Sequence, residues 1–195
     1  MLAAGRGDRE AFADLVERHH RGLLDFIGRF LGTRDACAPE DLAQDVFLAV
    51  WRAAQTYLPQ PGISTRSWLL RIAANACLNY RRGRALRSTN ALDADSPAAA
   101  TSQPSAQPGW NVEQTERIAR VRGAVAALPP MQRAAVLLRH YHGLSYGEIA
   151  EALEVSLPAV ESLLFRARQT LRTALSAEQS RLPPQVSRKV RVECP

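Results

Sequence analysis

From Val46 to Leu92 the sequence holds no Asp or Glu, although Arg52, Arg66, Arg71, Arg81, Arg82, Arg84 and Arg87 fall in that stretch, interleaved with Trp51, Tyr57, Trp68 and Tyr80. Solvated helices ordinarily mix both signs, because opposite charges three or four residues apart support a helix and like charges repel. A run without carboxylates repels itself unless an outside anion such as phosphate supplies the missing charge, which points to a nucleic-acid surface. Cysteine is scarce as well: Cys37, Cys77 and Cys194 lie far apart with no CxxC pairing, which excludes a disulfide framework or a zinc site and fits a reducing cytoplasm. No apolar run approaches the roughly 20 residues that a spanning helix needs. No secretory signal precedes Gly5 either, so a cytoplasmic protein without membrane insertion is expected. Lysine occurs once, at Lys189, a bias given no functional weight. A nucleophile with its base, a metal constellation and a glycine-rich phosphate loop are all missing, so neither an enzyme nor a cofactor is expected. The pairs His19–His20 and His140/His142 have no acidic or cysteine ligand beside them, and adjacent or alternate helical residues point apart; they read as solvated.

What is present is enough apolar residue to fold. The 195 residues are 46% hydrophobic and 23% charged with a net charge of +6, which allows a buried core and favours an anionic partner. No segment alternates as a strand does, so the fold class is all-α: two small helical domains joined by a flexible linker. The first spans 1–87. Asp8 is placed to cap a helix with apolar residues at Ala11, Phe12, Leu15, Val16, Leu23, Leu24, Ile27 and Phe30. A second helix starts at Pro39, with Glu40 and Asp41 at its positive end, and runs to about Ala54 over a stripe of Leu42, Val46, Ala49 and Val50. A loop with Pro59, Pro61 and Gly62 leads to a third helix, capped by Ser64 or Thr65 and reaching the Arg81–Arg84 cluster. Its apolar stripe is Leu69, Ile72, Ala73, Ala76 and Tyr80; a separate polar stripe carries Arg71, Asn75, Asn79 and Arg82. The stretch 88–110 is rich in Ala, Ser and Pro without apolar periodicity and reads as a mobile tether. The second domain spans 111–178, with a helix from about Pro130 to His142 stopped by Gly143; a loose basic tail fills 179–195.

Within the second domain, Ser145 to Leu175 has the pattern of a helix-turn-helix. Ala150 is the small residue where the helices cross, Glu154-Val155-Ser156 is the turn, and Val160, Leu164, Ala167 and Leu171 are the seam of the second helix. A left-handed conformation at Glu154 would cost roughly 1 to 2 kcal/mol.

PEDLAQDVFLAVW (39–51) and STRSWLLRIAANACLNYRRGR (64–84) resemble regions 2.2 and 2.3–2.4 of bacterial sigma factors of the extracytoplasmic-function (ECF) subfamily. ALPPMQRAAVLLRHYHGLSYGEIAEALEVS with the following AVESLLFRARQTLR resembles their region 4. The resemblance implies a protein that directs core RNA polymerase to promoter DNA, region 2 melting and reading the −10 element and region 4 reading the −35 element. It implies contact with the β and β′ subunits, with Asp41, Gln44 and Asp45 on the helix that docks against β′. It puts Arg66, Trp68, Arg71, Asn75, Asn79 and Arg82 on the −10 helix, and the loop from Thr56 to Thr65 around a flipped base. It assigns Ala159, Glu161, Ser162 and Arg166 to the −35 major groove, and it implies an anti-sigma factor that clamps the two domains.

The residues themselves leave alternatives beside those roles. The alternative for Trp68, which borders the apolar stripe, is a core side chain; for Asp41 and Asp45 it is an ordinary solvated face, the commoner origin of paired acids; for Arg81, Arg82 and Arg84 it is a helix-end cluster favoured by the dipole. The recognition helix departs from the family's usual TVKSRLHRAR: Glu161 replaces a basic residue, Leu163 an arginine and Phe165 a histidine, which implies a weaker or altered −35 readout and an apolar pair open to a protein partner. The competing reading is an autonomous helix-turn-helix regulator binding a palindrome as a dimer. It leaves the first domain without a role.

Overall fold

The computed structural model describes residues 8–32, 38–54, 64–90 and 112–179, and every regular element among them is helical. The first half holds α1 (Arg9–Leu31), α2 (Ala38–Ala54) and α3 (Thr65–Asn90); the second holds α4 (Val112–Ala127), α5 (Pro130–His140), α6 (Tyr146–Leu153) and α7 (Leu157–Gln179). None of these helices is long and apolar enough to cross a membrane.

Local chemistry sets the helix ends. The Asp8 carboxylate accepts from the Ala11 amide at 3.1 Å, satisfying one of the free donors of α1. Gly32 closes α1 at a positive φ of +75°, open to glycine, with its amide donating to the Gly28 carbonyl at 2.9 Å. A Cβ there would also stand 3.3 Å from that of Ala126, so the glycine admits α4 to the end of α1. Helix α6 is held by a reciprocal capping box: the Glu148 amide donates to Ser145 Oγ at 3.2 Å and the Ser145 amide to Glu148 Oε2 at 2.8 Å. The Ser145 amide, and after it the Ser145 hydroxyl donating to Glu148 Oε2 at 2.9 Å, hold the Glu148 carboxyl below its ordinary pKa. Glu154 takes the left-handed conformation foreseen for the turn, φ 55° and ψ 46°.

Three expectations needed correction. Helix α3 runs to Asn90 rather than stopping near Arg84, because Ala85, Leu86 and Arg87 are good helix formers and Gly83 alone does not break a helix; the first residues assigned to the tether are helical. Helix α5 ends at His140, two residues early, and Tyr141 and His142 turn towards Gly143, φ +71°. The apolar surface of α3 is wider than expected: Leu70, Ala74 and Cys77 are buried along with Leu69 and Ala73, while Ile72, Ala76 and Tyr80 pack half-buried against the same core.

That last shift has a physical reason. Helix α3 is packed on two sides, against α1 and α2 of its own half and against α5 and α6 of the other. Ala73 and Ala74, neither with any exposed surface, let both sides approach closely. In the second half Val160, Leu164 and Ala167 form the expected buried seam of α7, with Leu171 half-buried at its end.

Candidate nucleic-acid interface

On α2 the side chains of Asp41, Gln44 and Asp45 are exposed along one face, because the opposite face buries Leu42, Val46 and Val50 in the first-half core. Leu48 continues the exposed face and is 54% exposed, an apolar residue amid polar ones. It was absent from the sequence reading, although its spacing of three and four from Asp45 and Gln44 was there to be used.

The six residues of the −10 set lie along α3 but in different states. Asn79 and Arg82 are exposed, with Arg82 Nη1 donating to Asn79 Oδ1 at 3.3 Å. Trp68 is half-buried and packs against the apolar core. Arg66, Arg71 and Asn75 reach across to the second half. Arg71 Nη2 stands 3.7 Å from Glu154 Oε1, and Asn75 Nδ2 donates to the same oxygen at 3.4 Å. Arg66 Nη2 lies 3.2 Å from His142 Nδ1. The turn of the helix-turn-helix therefore sits on the polar stripe of α3.

Deeper contacts bind the halves more firmly than these. Arg133 on α5 is 2% exposed, and its guanidinium reaches the C-terminal carbonyls of two helices, donating to Phe30 O of α1 at 2.6 Å, to Leu128 O just past α4 at 2.9 Å, and to Ala126 O. Those carbonyls are the negative ends of helix dipoles, which is why a cation is tolerated there without a carboxylate. Burial, with Arg81 nearby, lowers the Arg133 pKa to about 10, which leaves it charged at neutral pH. Arg29, paired to Asp25 at 2.8 Å, lies over the Tyr141 ring at 4.3 Å.

His142 is the clearest departure from expectation. Read as solvated, it is 6% exposed, its ring edge-on to Phe26 at 5.4 Å, because the early end of α5 swings it into α1. Burial first, then the Arg66 charge, pushes its pKa down to about 4, against a weak opposing pull from Asp25. His19 is half-buried and its pKa is lowered for the same kinds of reason. Cys77 packs as a small apolar residue, and burial pushes its thiol up to about 12.

On α7 the −35 set is open. Glu161, Ser162 and Arg166 are exposed and Ala159 half-buried; Phe165 is 59% exposed beside a half-buried Leu163. Among the described residues no cluster of His, Cys, Asp or Glu is placed to hold a metal ion. The flipped-base loop, apart from Ser64 and Thr65, lies outside the described residues, as do Cys37, Cys194, most of the tether and the basic tail.

Residues 15–87, the three-helix half with its two-sided α3, match Sigma-70 region 2, and residues 118–171, the half with the helix-turn-helix, match Sigma-70 region 4. The chain belongs to the sigma-70 family, in its ECF group. It is 34% identical over 178 residues to the ECF RNA polymerase sigma factor SigE of Mycolicibacterium smegmatis, covering 89% of this chain and 66% of that protein. It is 32% identical over 168 residues to the ECF sigma factor SigK of Mycolicibacterium vanbaalenii, covering 86% of this chain and 83% of that one. The sigma factor RpoE of Bartonella quintana, solved with the anti-sigma factor NepR, shares the fold at a TM-score of 0.65 and 23% identity over 87% of this chain and 99% of that one. As an ECF sigma factor the protein directs core RNA polymerase to promoters and starts transcription there; an autonomous regulator would leave the matched region 2 without a role.

Proposed function

We propose that this sigma factor divides promoter recognition between α3 and α7 and docks on the polymerase through α2, acting by binding alone and in the cytoplasm. The observation that supports the docking face is the exposed strip of Asp41, Gln44, Asp45 and Leu48, acidic at its rim and apolar at its end, which suits basic helices of the β′ subunit. On α3, amides and guanidinium groups bond base edges and phosphates, with Trp68 a platform for an unpaired base. Opening duplex costs about 1.4 kcal/mol per step and an aromatic platform returns roughly 1 to 3 kcal/mol per base, so a few captured bases hold the edge of a bubble that the polymerase keeps open. The proposed domain limits are 1–87 and 111–178.

The packed arrangement is the off-promoter form in this reading, because Glu154 occupies Arg71 and Asn75. Exposed ion pairs at such distances contribute only ~0–1 kcal/mol, so promoter phosphates displace Glu154 readily; the cost of opening lies in the Arg133 and His142 contacts. An anti-sigma factor, the class of partner the Bartonella sigma factor was solved with, would hold this form by gripping both halves. Run-off transcription with core polymerase tests the assignment. Trp68→Ala is expected to weaken open-complex formation more than duplex binding, and equal loss of both would reduce Trp68 to a core residue.

A further inference from the structure

Where the halves meet, a cavity of about 270 Å³ is lined by Arg18 and His19 of α1, Arg66 of α3 and His142, over a floor that includes Leu23 and Leu69. Four nitrogen-bearing side chains face one space whose lining contains no carboxylate. The acids whose charge reaches these groups are engaged elsewhere: Asp25 pairs with Arg29 at 2.8 Å, and Glu148 closes the α6 cap. A second observation is the mutual arrangement of the cations: the charges of Arg18 and Arg66 both act on His19, and Arg66 Nη2, which only donates, lies 3.2 Å from His142 Nδ1. Two guanidinium groups beside one space whose lining holds no carboxylate call for an acceptor-rich anion.

We propose that this cavity binds the phosphate group of a small molecule, a pyrophosphate or nucleotide phosphate, held by Arg18 and Arg66 of the first half against His142 of the second. Room for several waters makes the space large enough for such a group, while Leu23 and Leu69 give it an apolar floor. Since the ligand touches both halves, its binding stabilises the packed arrangement by mass action and keeps Arg66 from promoter DNA. The binding itself does not rest on the promoter assignment and is read without DNA or polymerase.

The experiment is a titration of the full chain with inorganic pyrophosphate, followed by calorimetry and by thermal melting, with sodium chloride at matched ionic strength as control. A saturable response and a raised melting temperature are expected. Arg18→Ala, an exposed residue outside the promoter set, should weaken binding at least tenfold while leaving the ligand-free melt unchanged. Arg66→Ala, which removes the second guanidinium from the lining, should weaken it by a similar factor. Three outcomes overturn the proposal: a response no larger than that to chloride, identical binding by Arg18→Ala, or saturable binding of a short single-stranded oligonucleotide with none of pyrophosphate, which would make the site a contact for promoter backbone alone.

Discussion

The two helices proposed to read DNA, α3 and α7, are both long, amphipathic and studded with arginine, yet one is covered and the other bare. Helix α3 has an apolar surface on two sides, so burying it takes two partners, and the second partner is the half that carries α7. Helix α7 has one seam, Val160–Leu164–Ala167, which α5 and α6 of its own half satisfy. The chemistry of covering follows: the side chains over α3 are themselves polar, Glu154 and His142, and leave Arg66 and Asn75 hydrogen-bonded and Arg71 ion-paired rather than sealed in. A two-sided helix is thus available to a competitor, whereas a one-sided helix has nothing to release.

The most severe way to break that contrast is Arg133→Met. Hydrogen bonds from a charged group contribute about 1.5–3 kcal/mol each, and the change leaves the carbonyls of Phe30 and Leu128 without a partner, so a loss of about 3 kcal/mol in chemical denaturation is expected. Small-angle scattering should show a larger radius of gyration while circular dichroism keeps the helix signal, α3 becoming as free as α7. Unchanged dimensions would mean that apolar contact alone holds the halves.

Acid is expected to act next most strongly. Packed, the His142 ring takes a proton only near pH 4; released, near 6.5. The open form therefore binds more protons between those values, and the packed form loses up to ~1.4 kcal/mol per unit as pH falls through that window, with no change above it. The charged groups that act on the ring are Arg66, Asp25 and Arg29. His142→Phe should flatten the pH dependence of the radius of gyration; an equally steep curve in that variant would place the switch on other groups.

Glu154→Gly sharpens the comparison through opposite signs. Glycine relieves the left-handed strain, so the second half should gain about 1 kcal/mol in its melt, while Arg71 and Asn75 lose their partner and −10 single strand binds faster. A gain in stability with no change in strand binding would leave Glu154 as a turn residue only.

Much of this was legible in the chain. The Asp8 cap, the limits of α2, the left-handed Glu154 and the seam of α7 are local, set by residues within a turn or two of one another. The packed junction was not, because its causes are far apart in sequence: Arg133 bonds a carbonyl 103 residues away, and His142 is buried by Phe26. Nothing near a histidine or an arginine announces a distant helix end. The second face of α3 was hidden similarly, since Leu70, Ala74 and Cys77 count as core only once α5 and α6 arrive. The capping box of Ser145 and Glu148, by contrast, was plain in the S-x-x-E spacing and went unread.

The mildest test bears on the bare helix. Glu161 stands exposed on α7 where the family's helix carries a base, next to the open Phe165. If this face enters the −35 major groove, Glu161 lies close to phosphates and opposes them; Glu161→Lys removes that charge and adds one that releases a counterion. The salt dependence of −35 duplex binding should then steepen by about one in the log–log slope, with tighter binding at low salt. No such steepening is expected for Lys at Thr173, which is exposed more than three turns further along α7. Equal slopes for Glu161→Lys and the parent would turn this face away from DNA, leaving Leu163 and Phe165 as a surface for protein and α3 as the principal reader of the promoter.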